Sequence, residues 1–112
     1  MAYDEQIAIR LRALVAREPG LSEQKMFGGL AFLVNGNMAI AASGQGGLLV
    51  RVDPADSAGL VEETVAYPRE MRGRSMDGWL RVDAEHVGDD GALKGWVKRG
   101  VGYARSLPPK KR

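Results

Sequence analysis

The side chains best suited to chemistry are few in this chain, and a lone histidine, His86, limits what they can do. One histidine excludes a metal site with several histidine ligands. The carboxylates around it are Asp83, Glu85, Asp89 and Asp90. They lack the ligand ladder and the glycine of a calcium loop, and the last two are natural helix N-caps. We therefore predict a loop and a cap here, with no metal site and no cofactor.

Nucleophiles and phosphate-binding motifs give no stronger signal. The chain has no cysteine, and none of its serines lies in a Gly-x-Ser-x-Gly setting. The run Gly44-x-Gly46-Gly47 has the glycine content of a phosphate loop, but a strand follows it and it carries no lysine. We predict a turn there, no catalytic residue, and a protein that is not an enzyme.

One basic set has the residue types that contact nucleic acid. If the strands that carry them are neighbours, Arg51, Trp79 and Arg81 share a face suited to phosphate contact and base stacking. The alternative is that these arginines only cover a sheet face with their stems. Of the 16 Lys and Arg, three end the chain at positions 110–112, which leaves 13 against 14 Asp and Glu. The body is thus not basic, and we expect nucleic-acid binding to be weak at most.

The elements that must position these residues form one domain, because 112 residues build a single core. We assign residues 1–107 to it and 108–112 to a basic disordered tail. Helices are predicted after Asp4, after Asp53-Pro54 and after Asp89 or Asp90, where cap residues precede apolar periodicity. Strands are predicted at 26–34, 37–42, 48–52, irregularly within 67–75, and at 78–83, with residues 22–25 as a polar lead-in. This order, α-β-β-β-α-β-β-α, predicts an α+β fold: two layers, with helices packed on an antiparallel five-stranded sheet.

Asn35-Gly36 between two apolar runs is a strong hairpin signal. A two-residue turn places Leu30, Phe32, Val34, Ala39 and Ala41 on one face, and Ala31, Leu33, Met38 and Ile40 on the other. Because both faces are apolar, a further element or a second subunit must cover one of them. We expect a homodimer that uses Met38 and Ile40. We also predict that the last helix packs closely on the sheet at Gly100.

The segment Met26-Phe27-Gly28-Gly29 is the remaining candidate interaction site. Its glycines indicate a bulge or a close backbone approach at one end of the hairpin. The segment either lines a small groove, with Trp79 as a further wall, or serves only the packing of the first helix on the hairpin. A groove would allow a third role, that of a small ligand-binding protein or enzyme.

Several motifs together resemble one known family. They are Lys25-Met26-Phe27-Gly28-Gly29-Leu-Ala-Phe32, Asn35-Gly36-Asn37-Met38, Leu48-x-Val50-Arg51-Val52, Gly73-x-x-Met76-x-Gly78-Trp79-x-x-Val82, Leu93-x-x-Trp96-Val97 and Tyr103-Ala104-Arg105-Ser106-Leu107-Pro108. This pattern, over about residues 5–109, is similar to the N-terminal domain of the TfoX/Sxy family of bacterial competence regulators.

The resemblance implies a two-layer antiparallel α+β fold that commonly dimerises, and a regulatory module that acts by protein contacts, as a transcription co-regulator does. The family's competence regulators also carry a C-terminal helical domain. This chain ends before such a domain, so we expect a stand-alone N-terminal domain, with no catalytic residues to carry over. The acidic N-terminus and the short apolar runs predict a cytoplasmic protein with no membrane contact. A regulatory module of this kind is expected to have an unidentified protein partner.

Overall fold

The computed structural model describes residues 3–26, 28–71 and 73–109, with the backbone alone at positions 71 and 75. Phe27 and the tail from 110 to 112, both named above, lie outside the described residues. Within these ranges the elements are α1 (Glu5–Val15), β1 (Leu21–Met26), β2 (Gly29–Val34), β3 (Asn37–Ala42), β4 (Leu48–Arg51), α2 (Pro54–Glu63), β5 (Tyr67–Met71), β6 (Arg74–Val82), a 3-10 turn (Ala84–His86) and α3 (Asp90–Ser106).

The predicted helix caps are confirmed. The Asp4 carboxylate accepts hydrogen bonds from the Gln6 and Ile7 amides at 2.9 and 3.2 Å. Asp53 accepts from the Ala55 amide, with Pro54 in the first turn of α2, and Asp89 accepts from Ala92 at the start of α3. Each carboxylate satisfies an amide that lacks a partner within its helix, and so fixes where the helix begins.

The α+β class and the antiparallel sheet are confirmed, but the predicted number of strands is wrong. Over the described residues the sheet has six strands, in the order β1-β2-β3-β4-β6-β5. The additional strand is β1, which we predicted as a polar lead-in. It is an edge strand whose backbone pairs with β2 from Leu21↔Val34 to Met26↔Gly29, while the side chains of Glu23, Gln24 and Lys25 stay exposed. A strand held by backbone bonds at a sheet edge needs no apolar alternation.

The hairpin turn at Asn35-Gly36 is confirmed, since both residues have positive φ, 53° and 83°. The face assignment of β3 is partly wrong. A β-bulge leaves Ala39 as the extra residue, because Leu33 pairs with Met38 whereas Phe32 pairs with Ile40. One inserted residue exchanges the two faces of the strand beyond it. Ile40 therefore lies on the helix side, and Ala41 lies on the opposite side.

The helices pack on one face of the sheet and enclose the main core. Leu11 and Val15 of α1, Phe32 and Ile40 of the hairpin, and Leu93 of α3 are all fully buried there. The predicted close approach at Gly100 is confirmed: a Cβ there would collide with the carbonyl group of Ala39, the bulged residue. Among the described residues, no helix is both long and apolar enough to cross a membrane.

Candidate functional site

The face of the sheet opposite the helices, here called the back face, carries a second apolar cluster. Its members are Ala31, Leu33, Met38, Ala41 and Leu49. Their exposed fractions are only 1–8%, and the half-buried Met26 and Trp79 pack against them. The sequence predicted that both faces of the hairpin are apolar, and the back-face cluster is the structural counterpart of that pattern.

A cavity of about 700 Å³ opens on the back face. It is lined by Met26, Gly29, Ala31, Met38, Ala41, Ala42, Ser43, Gly44, Gln45, Leu49, Tyr67, Pro68, Arg69, Glu70 and Arg81. Residues of β2 and of β5 line the same cavity although β3, β4 and β6 separate these strands. The sheet is therefore concave on this side, and a β-bulge between Pro68 and Arg69 contributes to the bend of β5.

The depth of the cavity comes from small residues on its floor. Ala31 and Ala41 are direct partners across β2 and β3, so two short side chains face each other where larger ones would fill the space. Gly29 continues this row, and a Cβ there would collide with the Ala42 carbonyl oxygen. The close backbone approach predicted for the Met26-to-Gly29 segment is thus present at Gly29. Gly28, with φ of 77°, occupies the turn into β2.

Arg81 and Gln45 form the polar side of the cavity. Arg81 Nη1 donates to Gln45 Oε1 at 2.7 Å, and Nη2 donates to the backbone carbonyl oxygens of Gln45 and Gly46 at 3.5 and 3.3 Å. The guanidinium carbon lies 5.5 Å from the centre of the Tyr67 ring. Arg81 Nε is buried and has no acceptor among the described residues. The glycine-rich β3–β4 connection is thereby tied to β6.

Tyr67 closes the same side from β5. Its hydroxyl donates to Asp83 Oδ1 at 2.7 Å. Burial, and then the hydrogen bond to Asp83, raise the pKa of Tyr67 above its ordinary value. The phenol therefore stays protonated at neutral pH and acts as a donor that holds β5 against the end of β6.

The predicted interaction residues divide between the cavity and other places. Met26, Gly29 and Met38 line the cavity, and Gly28 lies in the adjoining turn. Ile40 lies on the helix side with no exposed surface, so it offers nothing to a partner. The sequence did not single out Gln45 or Tyr67. The register of β4 against β6, which pairs Leu49 with Arg81, is the signal that places Arg81 at this site.

The candidate nucleic-acid residues do lie on one face. Arg51 is the direct partner of Trp79, and Arg81 lies two residues further along the same side of β6. The Arg51 guanidinium carbon is 5.1 Å from the centre of the Trp79 ring and 5.6 Å from that of Tyr103. Arg51 and Arg81 are thus both engaged within the chain, by ring stacking in one case and hydrogen bonds in the other.

The acidic residues around His86 and the glycine run were two further sequence signals. Asp83, Glu85 and His86 bring ligand atoms within 4.8 Å of one another, but all three are exposed and Asp83 already accepts the Tyr67 hydrogen bond. The run from Ser43 to Gly47 is the predicted turn, with β4 directly after it.

These features define a small two-layer α+β domain that presents a cavity on the back of its sheet. Comparison with protein families matches residues 13–104 to the TfoX N-terminal domain, and the chain belongs to that family. The resemblance carried by the Met-Phe-Gly-Gly segment and the later motifs is confirmed. A search of curated proteins finds no match to this chain.

Proposed function

We propose that this chain is a non-enzymatic regulatory module of the competence-regulator type, which acts through protein contacts made by its back face. The observation that carries this proposal is the second apolar cluster with its adjoining cavity, on a face that none of the helices covers in the described part of the chain. Apolar concave surfaces bordered by polar residues are typical of binding sites. Membership of the TfoX N-terminal domain family supports the regulatory class.

The experiment compares two lysine substitutions in the native host. Leu33→Lys puts a charge on the back face at a residue that does not line the cavity. Ile9→Lys is the matched control, since Ile9 is an apolar residue of α1 with 54% exposure. Each variant replaces the chromosomal copy, and transcript profiles are compared with wild type and a deletion.

We expect Leu33→Lys to reproduce the profile of the deletion and Ile9→Lys to reproduce that of wild type. Circular dichroism and thermal unfolding of the purified variants show whether each remains folded. A folded Leu33→Lys variant with the wild-type profile would contradict the proposal. Self-association through the back face belongs to the same proposal.

Binding of a small molecule is the second candidate function, and the cavity favours it. Small-ligand sites typically enclose about 300–1,000 Å³, lined by apolar groups with a few convergent polar ones. The cavity of about 700 Å³ has this size, and its lining combines an apolar floor with polar residues that include Gln45 and Arg81.

Weak RNA or DNA binding through Arg51, Trp79 and Arg81 has less support, although the three residues share a face. A nucleic acid would have to displace Arg51 from two rings and Arg81 from three acceptor atoms. A salt titration with fluorescent oligonucleotides tests it. Absence of binding at ~50 mM salt, where phosphate contacts are strongest, would exclude this function.

A further inference from the structure

The cavity has an apolar floor, and the side opposite the floor carries the cationic Arg81. The floor consists of Gly29, Ala31, Met38, Ala41 and Leu49, all of them buried. The opposite side is formed by Gln45, Arg81 and residues of β5. A ligand that fits both the floor and the polar side must have an apolar body and one polar end, because polar groups placed on the floor would lose their hydrogen bonds to water.

Arg81 specifies the charge of that polar end. Its acceptors among the described residues are an amide oxygen and two backbone carbonyl oxygens, so no carboxylate neutralises this half-buried cation there. Its Nε donor is also buried without an acceptor. An unmet buried donor is unfavourable, and a guanidinium binds a carboxylate more strongly than a neutral oxygen. Arg81 therefore favours an anionic group.

The other charges around the cavity limit how much negative charge the ligand carries. Glu70 lines the rim and is exposed, so it repels a ligand with several negative charges. Arg69 also lines the cavity, so its charged residues are two arginines and one glutamate, and the net charge of +1 is matched by a single negative charge. A nucleotide or another polyanion fits this balance poorly.

We propose that the cavity binds a small amphiphilic monocarboxylate, with its carboxylate on Arg81 and its apolar body on the floor. This inference rests on the small-molecule binding given above as the second candidate function. The carboxylate takes the place of Gln45 Oε1 as an acceptor of Arg81. Because Gln45 lies in the glycine-rich connection between β3 and β4, that exchange removes one of the three hydrogen bonds that tie the connection to β6, and so couples occupancy to the shape of the back face.

The test uses the purified full chain, labelled with ¹⁵N, and three probes with the same ring system. The probes are 2-naphthylacetate, the neutral 2-naphthaleneethanol and the cationic 2-naphthylethylamine, each titrated while amide spectra are recorded. We expect 2-naphthylacetate to shift the amides of the floor and of residues 43–47. We expect it to bind at least about tenfold more tightly than the alcohol, since a charge-assisted hydrogen bond to the guanidinium is about twice as strong as a neutral one. A fourth probe, 2-naphthyl phosphate, separates a carboxylate site from a general anion site.

Four variants assign the effect to residues. Arg81→Met should weaken binding of the acid about tenfold and leave the alcohol unchanged, whereas Ala41→Leu should weaken both because it fills the floor. Gln45→Ala removes the competing acceptor and should strengthen binding of the acid severalfold. Arg51→Met is the matched control, since Arg51 lies on the same face outside the cavity lining, and it should change neither affinity. If Arg81→Met fails to fold, Gln45→Ala and Ala41→Leu still carry the test.

Equal binding of the acid and the alcohol would overturn the proposal, as would equal losses in the Arg81 and Arg51 variants or tighter binding of the phosphate. No shift with any probe at ~1 mM would do the same, because a complex with a Kd of ~1 mM or less would be at least about half formed at that concentration. Regulation in the host that depends on Leu33 while no probe binds would remove this inference and leave the proposed function standing. If the acid binds but Leu33→Lys has no effect in the host, the proposed function is removed and this inference stands.

Discussion

Gly100 determines how closely α3 packs on the sheet. A Cβ at this position would collide with the Ala39 carbonyl oxygen and would lie 3.0 Å from its carbon. Backbone at a bulge in the middle of a sheet has little freedom to move, so α3 must shift outward. We predict that Gly100→Ala lowers the free energy of unfolding by about 1–3 kcal/mol, as overpacking of a core does. Urea denaturation followed by circular dichroism measures this change.

Gly95 provides the matched control within the same helix. It is exposed, and a Cβ there would meet no atom within 4 Å. Gly95→Ala should therefore raise the free energy of unfolding by up to about 1 kcal/mol through helix propensity alone. If both substitutions stabilised the protein, the close contact between α3 and Ala39 would be refuted.

The pair Arg12–Glu23 ties α1 to the edge strand β1. Arg12 Nε and Nη2 donate to the two carboxylate oxygens of Glu23 at 2.8 and 2.9 Å. The hydrogen bond from Arg12 lowers the pKa of Glu23 below its ordinary value. A lowered pKa contributes stability above the unfolded value, and that contribution is lost as the pH falls through the folded value.

We therefore predict that Glu23→Gln lowers the melting temperature slightly at neutral pH and that the difference disappears in acid. Both side chains are about one third or more exposed, with 51% for Arg12 and 35% for Glu23, so the effect is small. Thermal unfolding of both proteins between about pH 7 and pH 3 measures it. Melting curves that stay equally far apart over this range would show that the pair does not act through ionisation.

Residues whose role depends on near neighbours in sequence were predictable. Asp4, Asp53 and Asp89 cap helices within three residues of themselves, and Asn35-Gly36 forms its own turn. Arg81 and Gln45 are 36 residues apart, and their hydrogen bond depends on how β4 aligns β6 with the preceding connection. Sequence spacing carries no information about such a pair until the strand register is known.

At the scale of elements, the sequence predicted the helices better than the strands. Apolar periodicity and caps together mark a helix, whereas β1 has polar, exposed side chains and is held by its backbone. The bulge at Ala39 could not be predicted either, since one inserted residue leaves the composition unchanged. It nevertheless places Ile40 and Ala41 each on the face opposite to the one predicted. The candidate site was thus predicted at Met26, Gly29 and Met38, while Ile40 was placed on the wrong face.

Asn37 connects the start of β3 to the end of α3. This buried side chain donates through Nδ2 to the carbonyl oxygens of Pro108 at 3.0 Å and Ala104 at 3.5 Å. Ala104 O lies in the last turn of α3, where it also accepts from the Leu107 amide, and Pro108 follows the helix, so Asn37 ties the end of α3 to β3. We predict that Asn37→Ala lowers the free energy of unfolding by about 1–2 kcal/mol, because acceptors lose a buried donor.

Asn35 offers a nearby comparison for that substitution. It has a positive φ of 53°, which glycine adopts without strain, so Asn35→Gly should change stability by less than about 0.5 kcal/mol. Urea denaturation of both variants gives the difference. Equal losses would mean that general disruption of the hairpin, and not the bonds to α3, explains the Asn37 result.

At the scale of the whole molecule, one sheet serves two purposes on its two faces. The helix side holds the larger apolar side chains of the core, among them Phe32, Leu80 and Trp96. The back face holds smaller ones around the cavity, and its curvature brings β5 towards β2. Composition indicated a domain with two apolar sheet faces, but the curvature arises from bulges and twist that only the assembled sheet has.

Self-association was predicted from the two apolar faces of the hairpin, and the structure changes which surface a dimer can use. The sequence predicted that either a further element of the chain or a second subunit covers the back face, yet the apolar residues there are only 1–8% exposed in one chain. A dimer must therefore gain its area from the half-buried Met26 and Trp79 and from the edge of β1. Stable interfaces bury about 1,200–2,000 Å² in total, which requires the rim as well as the cluster.

We predict that sedimentation velocity at micromolar concentration gives twice the mass of one chain for the wild type and for Ile9→Lys. Lys25→Pro should give the mass of one chain, because the Met26↔Gly29 and Gln24↔Ala31 pairs bond to β2, so the Lys25 amide between them faces the open edge and proline removes that donor. Leu33→Lys should shift the equilibrium in the same direction by placing a charge on the back face. A wild type that sediments only as a monomer would contradict the homodimer, and a Lys25→Pro dimer would show that the edge of β1 is not part of its interface.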